Sequence, residues 1–333
     1  MSTQGDKGTG LAAIRARTAL RGAGLDPTVP LERASSVTNE VWLTADHVVR
    51  VNRHPNNRLY RETLVAKLVP PEVGYPKIVA HGGTSGEDWL VAERIPGRPL
   101  AHVWPQLDDD QRHRAVEQLA ERLRAVHETY APTDLPGIDG APQLLEVGSS
   151  DPTAPLMAAL ERAMRLEHVD PTLFGEAAEL VTRVKSVLEP FDATTLVHGD
   201  VTFENVIWRD GEVVALVDLE WARRGPRDLD LDILLRCAAY PQLHVGTDYE
   251  KVTRPEDYTE VPWWLGKAYP KLFDFPSQLD RVRIYSIAYD VRDLLVSPPT
   301  VPPRHLPELH AYKRLERVVH RHSYLDVLGR GRI

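Results

Sequence analysis

The 333-residue chain contains one cysteine, Cys237. No disulfide can close within it, and no cysteine-based metal cluster can be built. Cys237 stands in the apolar run LDILLRCAAY, which points to a buried structural thiol rather than a nucleophile. Nowhere does an apolar stretch approach the ~18 residues that span a bilayer. The N-terminus lacks the apolar core of ~7–15 residues that a secretory leader carries. Cytoplasmic residence is therefore expected, with no membrane partner. Basic residues are the minority, 40 Lys and Arg against 48 Asp and Glu, for a formal net charge of -8. That balance argues against nucleic acid as a partner, because phosphate binding is driven by clustered cations. It suits a cationic small molecule better than an anionic one. Internal repeats and low-complexity segments are also missing. What remains is an ordinary globular composition, 42% hydrophobic and 26% charged, long enough for one large or two smaller cores.

Periodicity divides the chain. Residues 11–22 are expected to be helical, with Leu11, Ile14 and Thr18 along one side and Gly22 and Gly24 ending the pattern. VWLT and HVVRV flank Ala45-Asp46 as a hairpin, 57–68 reads as helix, and KIVAH and WLVAER read as two further strands around Gly82-Gly83. After Pro96-Gly97 the character is helical. Residues 108–127 place Val116, Leu119, Ala120, Leu123 and Val126 on one face, with an Asp at 108, 109 or 110 as the cap. Further helical patterns fall at 155–167, 172–188, 277–296 and 305–321. The expectation is an α+β fold of two lobes, 1–95 rich in strands and 96–333 mostly helical. A cleft at such a junction is where ligands usually sit.

The segment LVHGDVTFENVIWRDGEVVALVDLE, residues 196–220, carries the chemistry. Asp210-Gly211 between two apolar runs signals a hairpin. If those residues form the turn, Arg209 pairs with Glu212, and counting outward places Asn205 opposite Leu216. Asp218 then lies two residues beyond, on the same side of the ribbon, where diagonal neighbours are ~7–8 Å apart. Their oxygens can converge on one ion. Asp200 precedes Asn205 by four intervening residues, close enough for its carboxylate to reach a hydroxyl attacking a phosphate on that ion. The spacing matches the kinase loop Asp-x-x-x-x-Asn, in which Asp takes the proton and Asn holds the metal. One carboxylate and one amide suit Mg²⁺, which prefers a few hard oxygens supplemented by phosphates and water.

Through HGDVTFEN (His198, Asp200, Asn205) and LVDLEWARRGPRDLDLDILL (Asp218), the chain resembles the aminoglycoside phosphotransferase and choline kinase family, related in fold to protein kinases. The likeness covers roughly residues 30–240. It implies a protein-kinase-like two-lobed fold, ATP as phosphoryl donor and Mg²⁺ as its ion. The third strand should carry a phosphate-holding lysine, and the matching position is Arg50, a departure whose planar fork differs in reach from an ammonium. Glu62 is placed to steady it. ASSVTNEV occupies the place of the nucleotide-covering loop, where Ser35, Ser36, Thr38 and Asn39 would face phosphate, although repeated glycines are missing. Residues 92–95 fall where the family hinge meets adenine, and Asp230 resembles an Asp that braces the catalytic loop. His198 reads as a packed, hydrogen-bonded loop residue.

The acceptor implied is a hydroxylated small molecule. Asp248, Glu250, Glu256, Asp257, Glu260, Asp290 and Asp293 offer carboxylates to a cation, and Trp263-Trp264 offers a stacking wall, against the plainer reading of solvated acids and core. A hydroxylated antibiotic, choline or a sugar all fit. A nucleotide-binding pseudokinase scaffold is the competing class, suggested by Arg50 and the glycine-poor loop. A protein kinase is disfavoured, since no Asp-Phe-Gly or Ala-Pro-Glu segment is present.

Overall fold

The computed structural model describes residues 4–34, 36, 39–84, 87–138 and 143–326. Helix α1 (Gln4–Gly22) precedes strands β1 (Glu32–Ala34), β2 (Asn39–Leu43) and β3 (His47–Asn52). Helix α2 (Arg58–Val65) follows, then β4 (Ile78–Gly82) and β5 (Trp89–Glu93). The strands pair antiparallel in the order β1-β2-β3-β5-β4. The hairpin at Ala45-Asp46 forms as expected, with Leu43 facing Val48. Alternation along β3 turns Val49 and Val51 toward α1 and leaves Arg50 on the opposite face.

The helix expected over 11–22 exists, but its inward face is the other one. Ala12, Ala16, Ala19 and Leu20 are buried against Trp42, Val49 and Val91, while Leu11, Ile14 and Thr18 line the solvent side. Alanines let the helix axis approach the sheet closely, and that close packing outweighs the larger side chains.

The second lobe begins with β6 (Arg98–Pro99), α3 (Leu100–Val103) and α4 (Asp109–His127), then α5 (Ala154–Ala163) and α6 (Pro171–Val184). Short strands β7 (Leu196–Val197), β8 (Val206–Arg209), β9 (Glu212–Leu216) and β10 (Arg223–Arg224) come next. Helices α7 (Asp228–Ala239), α8 (Val261–Ala268), α9 (Gln278–Val296) and α10 (Ala311–Val319) complete it. Asp108 caps α4 in a reciprocal pair with Gln111: its carboxylate accepts from Gln111 N–H at 2.8 Å, and the Gln111 side chain accepts from Asp108 N–H at 3.1 Å. The stripe Val116, Leu119, Ala120, Leu123 and Val126 is fully buried, as its period predicts. By contrast, α7 is buried along almost its whole length, so no polar face marks it as a helix in the sequence. The apolar core of this lobe is continuous, whereas the sheet lobe has two small clusters of its own.

Candidate active site

The β8–β9 hairpin turns at Asp210-Gly211, with positive φ at both residues (52° and 91°), the conformation that a tight two-residue turn demands. Arg209 faces Glu212 as expected. The register then slips. Trp208 faces Val213 and Ile207 faces Ala215, so Val214 is an extra residue, and it is Val206 rather than Asn205 that faces Leu216. Helix α4 holds the bulge in place. Val213 N–H donates to Gln118 Oε1 at 2.7 Å, and Arg122 Nε donates to Val213 O at 3.1 Å. Asn205 therefore lies opposite Val217, whose N–H donates to Asn205 O at 2.9 Å, and Asp218 is the next residue, not the second.

The loop 198–205 is fixed from below. Asp230 accepts from the backbone N–H groups of His198 (2.6 Å) and Gly199 (2.7 Å), and pairs with His127 Nε2 at 2.9 Å. Against the cost of burial, these partners hold its carboxyl below the usual range. His198 is fully buried; its Nε2 donates to Val217 O (3.0 Å) and its Nδ1 accepts from Asp200 N–H (3.3 Å). Burial depresses its pKa, so the neutral ring acts as a structural strut, the role its sequence context suggested. Gly199 has φ of +82°, and a Cβ there would meet Trp221 O at 2.4 Å, so the chain passes under residues 219–221 only as glycine.

Asp200 is half-buried, and Asn205 Nδ2 donates to its backbone O (2.8 Å) and its Oδ2 (3.2 Å). Burial first, then the charges of Asp218 and Glu220, push the Asp200 carboxyl up to about 7, while Asn205 and Arg292 pull against them. With Nδ2 engaged, the amide oxygen of Asn205 is the end turned away from Asp200. Asp218 sits at φ 65°, a left-handed kink that swings it off the end of β9.

Arg50 reaches all the acids above it. It donates to Glu62 Oε2 at 2.5 Å, to Asp218 Oδ1 at 2.8 Å and to Glu220 Oε2 at 2.9 Å. Burial works against its charge, but the three carboxylates outweigh burial and hold the guanidinium well above its ordinary pKa. Burial pushes Glu62 up, and Tyr75 OH (2.6 Å) and Leu219 N–H (3.0 Å) both donate to it. The expected Arg50–Glu62 contact is thus present. Oxygens of Glu62, Asp218 and Glu220 lie within 4.8 Å of one another, an arrangement able to hold a cation among the described residues. Glu220 was not singled out from the sequence, although its spacing of two from Asp218 in a strand-like run was the available signal. Asn39, read as a phosphate-facing residue, turns its amide to Glu220 Oε2 at 2.6 Å. Ser36 is half-buried in the β1–β2 connection, while Ser35 and Thr38 lie outside the described residues.

The acids offered for a cationic acceptor follow the plainer reading, some solvated and others paired within the fold. Asp290 is fully buried between Arg236 (2.5 Å) and Arg314 (2.8 Å). Asp293 accepts from Arg314 at 2.8 Å and Asp257 pairs with Arg112 at 3.1 Å. Desolvation of a carboxylate demands such partners, so these acids serve the fold. Asp248, Glu250, Glu256 and Glu260 remain exposed. Trp264 packs against His113 of α4, and Trp263 lies under Lys267 of its own helix. Cys237 is buried and its thiol is pushed up to about 12 by that burial, which removes it as a nucleophile.

Known proteins resemble the chain in sequence and in fold. The chain is 26% identical over 201 residues to an aminoglycoside 3'-phosphotransferase of Streptomyces fradiae, covering 60% of this chain and 64% of that one. It is 28% identical over 196 residues to a viomycin phosphotransferase of Streptomyces vinaceus, covering 56% and 64%. Each match thus spans less than two thirds of the relative. The fold matches that of a thermostable mutant of aminoglycoside phosphotransferase APH(4)-Ia in ternary complex with ADP and hygromycin B, with a TM-score of 0.59 at 14% identity over 90% of this chain and 96% of that one. It also matches ADP-bound aminoglycoside phosphotransferase APH(2'')-Ib, with a TM-score of 0.54 at 15% identity over 89% and 95%. The profile of the phosphotransferase enzyme family, finally, fits residues 31–260, which include every residue just placed from Arg50 to Asp230, and by that match the chain belongs to this family.

Proposed function

We propose that this chain transfers the γ-phosphoryl group of ATP to a hydroxyl of a small molecule, with a hydroxylated antibiotic as the acceptor. The observation that carries the reading is the grouping at the base of the β8–β9 hairpin: half-buried Asp200 in the preceding loop, bonded to Asn205, with Asp218 one residue past the Asn205 partner. A carboxylate held at this place by the loop fits proton removal from an alcohol. The relatives support the acceptor class, since those named act on aminoglycosides or viomycin.

The donor set fits magnesium in its chemistry, being all hard oxygen, with Asn205 Oδ1 and Asp218 as the ligands proposed. Bound there, the ion would screen the negative charge of the phosphates. Asp200 orients the acceptor hydroxyl and takes its proton late in an in-line transfer. Arg50 faces the phosphates from β3, steadied by Glu62, and Ser36 covers them from the β1–β2 connection. Most of the rate enhancement then comes from positioning and fixed charge.

The test is ADP release from Mg-ATP across aminoglycosides, viomycin, choline and simple sugars. Acceptor-dependent release should fall ~10²–10⁴-fold in Asp200→Ala, the usual range for a general base. A fall smaller than about tenfold, under ~1.4 kcal/mol of barrier, would remove Asp200 from that role.

A further inference from the structure

Glu204 sits between Phe203 and Asn205 in the short turn of the catalytic loop. Its Oε1 accepts two hydrogen bonds, from His102 Nε2 at 3.0 Å and from the backbone N–H of Gly246 at 2.9 Å. The His102 ring, on α3, lies flat against Tyr249, with centroids 3.8 Å apart and planes 8° from parallel. Phe203 makes the matching contact below, edge-on to Trp104 at 4.7 Å and beside Tyr258 at 5.5 Å. Trp104 Nε1 in turn donates to Asp257 O at 3.0 Å. Two consecutive loop residues are therefore fastened, directly and through α3, to residues 240–260, the connection between α7 and α8. That connection contains only short turns, Pro241–His244 and Pro255–Tyr258. A long connection without regular ladders owes its order to side-chain contacts, and such segments in compact domains are usually functional.

The geometry points to Glu204 as a positioning residue that couples the 240–260 connection to Asn205, so that order in the one is felt as alignment in the other. Glu204 touches no reacting atom in this scheme; it acts through its neighbour. The inference rests on the reading of Asn205 as a metal ligand, and the experiment separates the two. Lys251 is exposed in the middle of the connection and gives trypsin a site there.

The full chain is compared as wild type, Glu204→Ala, Glu204→Gln and His102→Phe. Two quantities are read: the rate of tryptic cleavage after Lys251, and the Mg²⁺ midpoint for binding a fluorescent ATP analogue. Glu204→Ala loses both bonds and should raise both quantities at least about tenfold, the lower end for loss of hydrogen bonds to a charged group. Glu204→Gln keeps an oxygen able to accept both bonds and should return both to within about threefold of wild type. His102→Phe keeps the stack on Tyr249 but loses one bond, and should shift both in the same direction by less; it decides the matter if Glu204→Ala fails to fold. Faster cleavage with an unmoved Mg²⁺ midpoint would overturn the coupling, as would no change in either. Asn205→Ala, run alongside, tests the other reading. A midpoint that this variant fails to move indicts the metal assignment, and cleavage with its rescue by glutamine then decides the clamp alone.

Discussion

Arg50 is one cation shared by three carboxylates from two stretches of chain, Glu62 on α2 and Asp218 and Glu220 beyond β9. Glu62 and Glu220 are almost completely buried. Removing the guanidinium leaves those charges without their main counterion, which typically costs ~3–5 kcal/mol. Arg50→Met is therefore expected to lower the thermal midpoint sharply, and Arg50→Lys to lower it less, since an ammonium keeps the charge without the fork. Scanning calorimetry of the two variants checks this, and equal midpoints for Arg50→Met and wild type would refute it. At this scale the nearness of Asn205 and Asp218 was legible in the sequence from the Asp-Gly turn, although the count from that turn came out one residue off. Glu220 went unread because its partners Asn39 and Arg50 lie 181 and 170 residues away. Arg292, which pulls the Asp200 carboxyl down, comes from α9 and had no local signal either.

Elements with a strong period declared themselves. The stripe on α4 and the β2–β3 hairpin each follow from spacing and end signals alone. The cap on α4 is the simplest test of that claim. Asp108→Ala removes the carboxylate half of the reciprocal pair and should cost ~1 kcal/mol, read as a lower urea midpoint with an unchanged slope. No loss on chemical denaturation would mean that the helix start is held by packing. What spacing could not reveal was the bulge at Val214, since the groups that hold it, Gln118 and Arg122, belong to α4 some 90 residues earlier. The inward face of α1 was misread for a related reason: closeness of approach to a sheet depends on the sheet, which the helix sequence does not contain. Helix α7, buried on nearly every side, offered no contrast from which to recognise it.

Across the whole molecule, acidic residues outnumber basic ones, yet much of that charge is spent internally. Asp228 meets Arg281 at 2.6 Å and Tyr285 at 3.1 Å, and Asp290 meets Arg236 and Arg314. Asp232 is the exception, fully buried with longer contacts, to Tyr324 OH at 3.3 Å and Gln143 at 3.5 Å. Burial raises its carboxyl from the ordinary 3.8 to about 7, against the pull of Arg236. The folded protein thus binds this proton more tightly than the unfolded chain does. Its contribution is complete below about 4 and is lost as pH rises through about 7. Asp232→Asn cannot ionise, so its thermal midpoint should gain on wild type between pH 5.5 and pH 8, by several degrees for each ~1 kcal/mol per ~100 residues. A constant difference across that range would show that Asp232 stays charged or stays neutral throughout. The α+β organisation could be read from periodicity, but the pairing of Asp290 and Asp293 with arginines could not, because charge alone does not distinguish an acid that faces a ligand from one that faces a distant helix.

One side of the seam between the lobes is polar. Arg50 and Asn39 on the sheet side meet Asp218 and Glu220 on the other, Arg58 lies over Trp221 at 4.4 Å, and Arg61 Nε donates to Pro136 O at 2.5 Å. Two of the three apolar clusters stay within the sheet lobe. Water can replace hydrogen bonds as such a joint parts, whereas it cannot replace oil-like contact. Parting this joint would wet its polar contacts at little cost, while Val65 and Val73, buried in the helical lobe's core, resist it as an apolar hinge pin would.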